Sequence, residues 1–446
     1  MTSPPAPRPR APRRSHATRV LLRSAQMLRA ALLGFGVTLW RGVRPDADAR
    51  GQRVWRAAGR GLVRLCTELG ATFIKVGQIA STRADLLPPG LVRELATLQD
   101  RVPPFPFADV RRCVERELGR PLEEVYADFD PVPVAAASVA QVHRATLRAN
   151  GADVAVKVRR PDIVEKVRLD RSILLSLARG LERTVPTLRL IALESAIRTF
   201  CGAVEAQCDF ERELANNRRF AREFAEDPDI EVPGVHPDAC AAGVLTMDFI
   251  EGIPESELAH RDVDVDRIVR SGLRGVCRMI FQHGFVHADL HPGNLRFLPP
   301  GRIVALDVGL VGEIDDRDRL TTARLLFALA TGDGATVARI FYDESPNPRP
   351  RDYAAYEREM SAFVESVRVK GLAHLQVSGE IGRIFDILRR HRIQARAHMT
   401  MVNLAIMTAE GLSKRLAPDV VLAEEVLPYL AEALGVATPP LPTRPA

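Results

Sequence analysis

Apolar residues recur at helical spacing from about Val54 to Gly119, and the pattern changes at Pro131. PVAAASVAQVHRATL and DVAVKVRR then read as two or three short strands rich in β-branched residues, closed by Pro161. Helical periodicity returns from about Asp162 to Phe224, and GVLTMDFI predicts another strand before the turn EGIP. From Asp264 to His283 the apolar positions Ile268, Leu273, Val276, Met279 and Ile280 describe a buried helix, with Gly284 as its stop signal. GRIVALDVG predicts a strand running into Asp307, and beyond Asp315 the pattern is helical nearly to the end. No internal repeat interrupts this order of helical extension, strand-rich segment and helix-rich segment.

Composition changes the picture in three ways. The 446 residues, 46% of them hydrophobic, suffice for two ordinary domains or one large two-lobed one. The net charge of +6 hides an asymmetry: residues 1–60 carry 13 Arg against Asp46 and Asp48, so they hold +11 and the remainder sums to −5. The basic character belongs to the N-terminus, and no nucleic-acid partner is expected for the body. Of the 62 basic residues only Lys75, Lys157, Lys166, Lys370 and Lys414 are lysine. A compact ammonium meets a phosphate oxygen as a point charge where a guanidinium is a wide fork, so the retained lysines draw attention. The six cysteines show no CxxC pair, which predicts buried thiols in a reducing compartment. The longest apolar run, Ala30 to Trp40, is about half the roughly 20 residues that span a bilayer. The helical stretch from Arg19 to Trp40 could rest on an anionic membrane surface or pack on the main body. An Arg-rich, nearly acid-free N-terminus is also the composition of an organelle transit segment.

The chemistry concentrates in VHADLHPGNL, Val286 to Leu295. Phosphoryl transfer from ATP requires held phosphates, one or two Mg²⁺ on oxygen ligands and an oriented acceptor. Asp289 and Asn294 have the D-x-x-x-x-N spacing of a kinase catalytic loop, with Asp289 as acceptor base and Asn294 on metal. Asp307, thirteen residues after Asn294 and following a strand, is the second metal ligand, and Gly309 is expected to let the chain turn away. Lys157 in VAVK would meet the α- and β-phosphates, and Glu213 in CDFERELANN would hold it, with Asp209 four residues earlier on the same face. The weaker reading is a hydrolase metal site made of His287, Asp289 and His291, which lacks further His and carboxylates nearby. The histidines are expected instead to brace the loop through hydrogen bonds.

These motifs, with KVGQIASTRADLLP (Lys75 to Pro88), LQDRVPP and AAASVAQVHRA, resemble the UbiB (aarF-domain) family of atypical kinases over about residues 55 to 340. The resemblance implies an α+β, bilobal protein-kinase-like fold, with an N-terminal helical KxGQ extension and a largely helical C-terminal lobe. It implies binding of ATP or ADP with Mg²⁺, and a link to ubiquinone or other isoprenoid-lipid metabolism at membranes. The Ala-rich loop, here Ala135, Ala136, Ala137 and Ser138, replaces the Gly-rich loop of ordinary kinases, and its methyl groups predict an altered nucleotide pose. The KxGQ helix of the family occupies the place of a protein substrate, with Lys75 and Gln78 gating the site. Where the family has E-x-D, this chain has Gln207, Cys208, Asp209, so a carboxylate thought to pair with Lys75 is an amide here. Met247 to Phe249 would form the hinge against adenine.

The expected organisation is a basic disordered tail (1–18), a helical extension (19–130), an N-lobe (131–252), a helical C-lobe (253–436) and a tail (437–446). The function expected is an ATPase or kinase of the atypical class that supports ubiquinone or other isoprenoid-lipid biosynthesis. Its partners would be adenine nucleotide, an isoprenoid lipid or quinone precursor, and lipid-biosynthesis enzymes. It would be cytoplasmic, peripheral on the inner face of the membrane. Two alternatives stay open: a small-molecule kinase of aminoglycoside or choline type, which shares the H-x-D-L-H-x-G-N loop but does not need KVGQ or AAAS, and a nucleotide-binding scaffold with little turnover.

Overall fold

The computed structural model describes residues 23–26, 29, 50–81, 89–98, 103–184, 193–345, 350, 352–370, 377–394, 396–420 and 422–436. They fall into two compact units, one drawn from 1–81, 88–100 and 162–205, the other from 82–87, 101–161 and 206–446. The expected tails at 1–18 and 437–446, the apolar run Ala30 to Trp40 and most of STRADLLP lie outside the described residues.

The first unit is helical, with helices Arg50–Leu69, Ala71–Ser81 and Pro89–Leu95 joined by Ile163–Thr184 and most of Leu193–Ala206. Gly70, at φ 88°, lets the chain break between the first two helices. Gly77, the glycine of KVGQ, serves close approach: a Cβ there would lie 2.3 Å from Leu98 Cδ1 and 3.3 Å from Cys66 Sγ. Arg23 packs on this unit. Its guanidinium grips buried Asp170 at 2.7 and 3.0 Å, donates to the Leu69 carbonyl at 2.9 Å and lies 5.7 Å from the centre of the Phe73 ring.

The second unit begins with a five-stranded antiparallel sheet in the order β1 (Tyr126–Phe129), β3 (Ala140–Leu147), β4 (Asp153–Arg159), β6 (Val244–Asp248), with β2 (Ala135–Ala136) pairing on β3. The sheet therefore starts at Tyr126, ahead of the Pro131 boundary read from the sequence. YADF, at four residues, is too short to signal a strand by itself, and its pairing with β3 makes it one. Helix Phe107–Leu118 buries Val110, Cys113 and Val114 in one core with Val154, Val156 and Val158 of β4. The valines alternate along β4, so Ala155 and Lys157 point to the opposite face.

The rest of this unit is mainly helical. Helix Val265–Cys277, capped by Asp264, continues as a turn of π-helix, Arg278–His283, which Gly284 ends at φ 61°. A Cβ at Gly284 would lie 2.4 Å from the Ile314 carbonyl, so the stop signal also answers to space. Two small sheets follow: β7 (Phe285–His287) pairs with β10 (Val311–Glu313), and hairpin β8 (Leu295–Leu298)–β9 (Arg302–Ala305) takes β5 (Ile230–Glu231) alongside β9. Helices from Asp316 to Leu434 supply the remaining cores, one of them around Tyr356, Met360, Val364 and Leu388. No helix among the described residues is long and apolar enough to cross a membrane, and Leu422–Leu434 carries Pro428 inside it. All six cysteines are free thiols, five buried and Cys240 half-buried.

Candidate functional site

Glu213 sits at a core position. Its helix, Phe210–Glu223, buries Phe210, Glu213, Asn217 and Phe220, a spacing of three, four and three that makes one face. That face puts a carboxylate where periodicity asks for an apolar residue, opposite Lys157 on β4. Lys157 Nζ donates to Glu213 Oε1 at 2.7 Å and Oε2 at 2.8 Å, and to Asp307 Oδ2 at 2.8 Å. The Lys157 and Glu213 side chains are nearly sealed from water, whereas that of Asp307 keeps 39% of its surface exposed.

One ammonium thus faces two carboxylates. Burial alone would lower the Lys157 pKa, but the charges of Asp307 and Glu213 and their hydrogen bonds raise it above the ordinary lysine value. The surplus negative charge shows on Glu213, which burial and then Asp307 push up to about 7 against the pull of Lys157. Gly309 makes room for this crowding: a Cβ would lie 3.1 Å from both Asp307 Oδ1 and Glu213 Oε2. Its N–H donates to Asp307 Oδ1 at 2.9 Å.

The hairpin explains the thirteen-residue spacing from Asn294 to Asp307. Leu295 pairs with Ala305, so the residues flanking the hairpin meet at its open end, where Leu306 N–H donates to the Asn294 carbonyl at 2.8 Å. Asn294 Nδ2 donates to the Asp289 carbonyl at 3.0 Å, closing the loop between them. Asp289 N–H donates to His287 Nδ1 at 3.0 Å. His287 Nε2 therefore carries the proton and donates to the Asp307 carbonyl at 2.6 Å. The buried ring bridges the two loops as a neutral imidazole, and burial lowers its pKa accordingly. His291 Nδ1 accepts from Gly293 N–H at 3.0 Å, capping the turn Pro292–Asn294. Both histidines brace the loop. Among the described residues no group of three or more His, Cys, Asp or Glu is placed to hold a metal.

Ala135 and Ala136 form β2, and Ala137 N–H donates to the Ala140 carbonyl at 2.8 Å, leaving Ser138 and buried Val139 as a two-residue loop. Ser138 is itself fully buried. Met247 is buried in β6 opposite Ala155. Phe249 N–H donates to the Asp153 carbonyl at 3.0 Å, and the Arg144 guanidinium lies 4.4 Å from the centre of its ring. Asp209 caps the Glu213 helix by accepting from Glu211 N–H at 3.2 Å, rather than sharing its buried face. Gln207 is buried just ahead of it. Gln78, in the first unit, donates to the Leu98 carbonyl at 3.2 Å, and the side chain of Lys75 lies outside the described residues. Sequence reasoning missed Asn216, whose amide donates to the Val308 carbonyl at 2.9 Å and fastens the Asp307 loop to the Glu213 helix. An Asn on a charged helix carries no local signal for that contact. A mainly apolar cavity of about 70 Å³ is lined by Phe220, Leu273, Leu295, Ile303 and Leu412 and is reached by His287 and Leu290 of the loop.

Residues 97–341 match the ABC1 atypical kinase-like domain and residues 360–421 the UbiB helical domain. The chain belongs to the UbiB family of atypical kinases. Relatives in this UbiB family include a protein of Erwinia tasmaniensis named probable protein kinase UbiB, 31% identical over 376 residues, 82% of this chain and 69% of that protein. A protein of the same name from Vibrio cholerae serotype O1 (strain M66-2) is 31% identical over 418 residues, 92% of this chain and 75% of its own. The structure of an Rv3197–erythromycin complex from Mycobacterium tuberculosis is similar at a TM-score of 0.50 and 22% identity, covering 83% of this chain and 97% of that one. The fold is the kinase-like α+β arrangement expected of a UbiB member.

Proposed function

We propose that this UbiB-family protein is an Mg-ATP-dependent ATPase, or a kinase for a small or lipid acceptor, that supports ubiquinone or other isoprenoid-lipid biosynthesis. The observation that carries the reading is the Lys157–Glu213–Asp307 cluster, in which two carboxylates share one ammonium at the edge of solvent. Such a cluster suits added positive charge. The donor set fits Mg²⁺, because the Asp307 carboxylate and the Asn294 amide offer hard oxygen ligands at one end of a hairpin and nucleotide phosphates would complete the shell. When bound, the metal neutralises charge on the phosphate oxygens.

In this reading Lys157 holds the α- and β-phosphates, and Glu213 keeps the ammonium charged and aimed. Asp289 receives or orients the acceptor proton, on a backbone gripped through both its N–H and its carbonyl. Ala135 to Ser138 cover the phosphates and Met247 and Phe249 face adenine. Lys75, Gln78, Gln207 and Asp209 regulate access, with Gln207 giving a weaker hold on an ammonium than a carboxylate would. The expected peripheral contact with the inner face of a membrane belongs to the same proposal.

The test is phosphate release from Mg-ATP by the full chain, with and without liposomes carrying a quinone precursor, beside Asp307→Asn and Gln207→Glu. Release that is stimulated by the liposomes and lost in Asp307→Asn supports the reading, and a changed rate in Gln207→Glu assigns that position to the gate. Nucleotide binding without release, in every variant, moves the conclusion to a scaffold.

A further inference from the structure

The strand that carries Lys157 ends at Arg159, Arg160 follows it, and the two hold different segments. Arg159 Nη1 donates to the carbonyls of Cys208 at 2.8 Å and Ala242 at 2.7 Å. The Ala242 carbonyl also accepts from Phe210 N–H at 3.2 Å, so the guanidinium joins the two carbonyls that frame the first turn of the Glu213 helix. Arg159 Nη2 reaches Glu117 Oε1 at 3.3 Å.

Arg160 serves the other side. Its N–H donates to the Val139 carbonyl at 2.9 Å and its Nε to the Ala137 carbonyl at 2.9 Å, so both ends of the two-residue loop are tied to one residue. Its Nη2 continues to the Pro103 carbonyl at 2.9 Å, with the guanidinium carbon 5.4 Å from the centre of the Phe105 ring. Phe105 is fixed in turn by buried Gln141, which accepts from its N–H at 2.9 Å and donates to its carbonyl at 3.3 Å. Gln141 also donates to His143 Nε2 at 2.9 Å, and His143 Nδ1 donates to the Asp130 carbonyl at 2.8 Å. Gln141 and His143 of AAASVAQVHRA and Pro103 of LQDRVPP thus belong to one brace that includes Arg160.

We propose that Arg159 and Arg160 are positioning residues that divide the phosphate end of the nucleotide site between them. Arg160 sets the Ala-rich loop and with it nucleotide affinity; Arg159 sets the Glu213 helix, and through the Lys157–Glu213 pair it sets turnover. The inference rests on the nucleotide reading above. Its physical basis is that three alanines lack the conformational range of glycine, so what grips Ala137 and Val139 decides where the loop lies. A planar guanidinium fork bridges two carbonyls in fixed directions, whereas an ammonium on a flexible stem carries its three donors in no fixed direction.

The experiment compares Arg159→Ala, Arg159→Lys, Arg160→Ala and Arg160→Lys in the full chain. It measures Mg-ADP affinity, phosphate release at saturating Mg-ATP, the unfolding midpoint, and amide hydrogen exchange without nucleotide. Arg160→Ala is expected to weaken Mg-ADP about tenfold, the loss of roughly one charged hydrogen bond, with a smaller fall in turnover. Exchange should quicken at Ala137 to Ala140, and Arg160→Lys should recover little. Arg159→Ala is expected to lower turnover about tenfold with a smaller fall in affinity, and to quicken exchange at Phe210 to Glu213. Affinity and turnover that fall together in step with the unfolding midpoint, without local changes in exchange, would overturn the division. If the unaltered protein binds no nucleotide, the functional reading fails by itself. Exchange then decides the positioning claim, which is lost if the two local patterns are unchanged.

Discussion

Asp229 and Glu213 are both buried carboxylates that face a cation, and their surroundings push them in opposite directions. Asp229 receives Arg267 at 2.6 and 3.0 Å on one oxygen and the Ser271 hydroxyl at 2.6 Å on the other, with Arg274 at 3.9 Å. Burial would raise its pKa, but these hydrogen bonds and charges outweigh it and hold the carboxyl below its ordinary value. Around Asp229 cations outnumber the anion; around Lys157 anions outnumber the cation. The first arrangement is complete without a ligand, and the second gains from one. Burial of charge therefore does not distinguish a structural pair from a functional one, whereas the balance of charge does.

The largest effect should come from Lys157→Met, which leaves Glu213 and Asp307 facing each other. Phosphate release is expected to fall about 10²–10³-fold, as when a catalytic hydrogen-bond donor is removed, and the unfolding midpoint should drop as well. Asp307→Asn should abolish release to a similar degree without lowering the midpoint, because it removes the surplus charge. A shared loss of stability in both variants would break the comparison. Next comes Asp229→Ala, which deprives Arg267 and Ser271 of their acceptor. A loss of about 3 kcal/mol by denaturant titration is expected, with turnover per folded molecule little changed. Gly309→Ala forces a methyl group toward Asp307 and Glu213 and should cost about 1 kcal/mol, read by the same titration.

The smallest effect is on pH dependence, and its sign separates the two carboxylates. Glu213 rises from 4.5 to about 7 in the folded chain, so the folded state keeps a proton that the unfolded state has released. Its contribution to stability is full below about 4.5 and declines as pH rises to about 7. Asp229 is depressed, so its contribution is present above its ordinary value and is lost as pH falls through its folded value. In magnesium-free buffer, Glu213→Gln should flatten the decline toward neutral pH, and Asp229→Asn should flatten the acid limb. The opposite assignment of the two slopes would refute the contrast.

The site was legible in the sequence to the extent that order along the chain reflects chemistry. Lys157, Glu213, Asn294 and Asp307 stand at spacings that a strand, a helix and a hairpin bring together, and β4, β6 and the helix ended by Gly284 follow from periodicity. Long-range pairing was not legible. YADF becomes a strand only beside β3, and β7 and β10 are three residues each, defined by one another. Residues 162–205 read as a continuation of the second unit in sequence, yet they pack with the N-terminal helices. Arg159 and Arg160 read as ordinary charges, because their partners are backbone carbonyls that no residue type announces.

The bond from His287 to the Asp307 carbonyl has a pharmacological consequence. An inhibitor that needs the peptide after β9 to swing outward must first break this hydrogen bond in a buried setting, leaving an imidazole N–H without its acceptor at a cost of about 1–3 kcal/mol. Compounds that accept the loop as it stands escape that penalty.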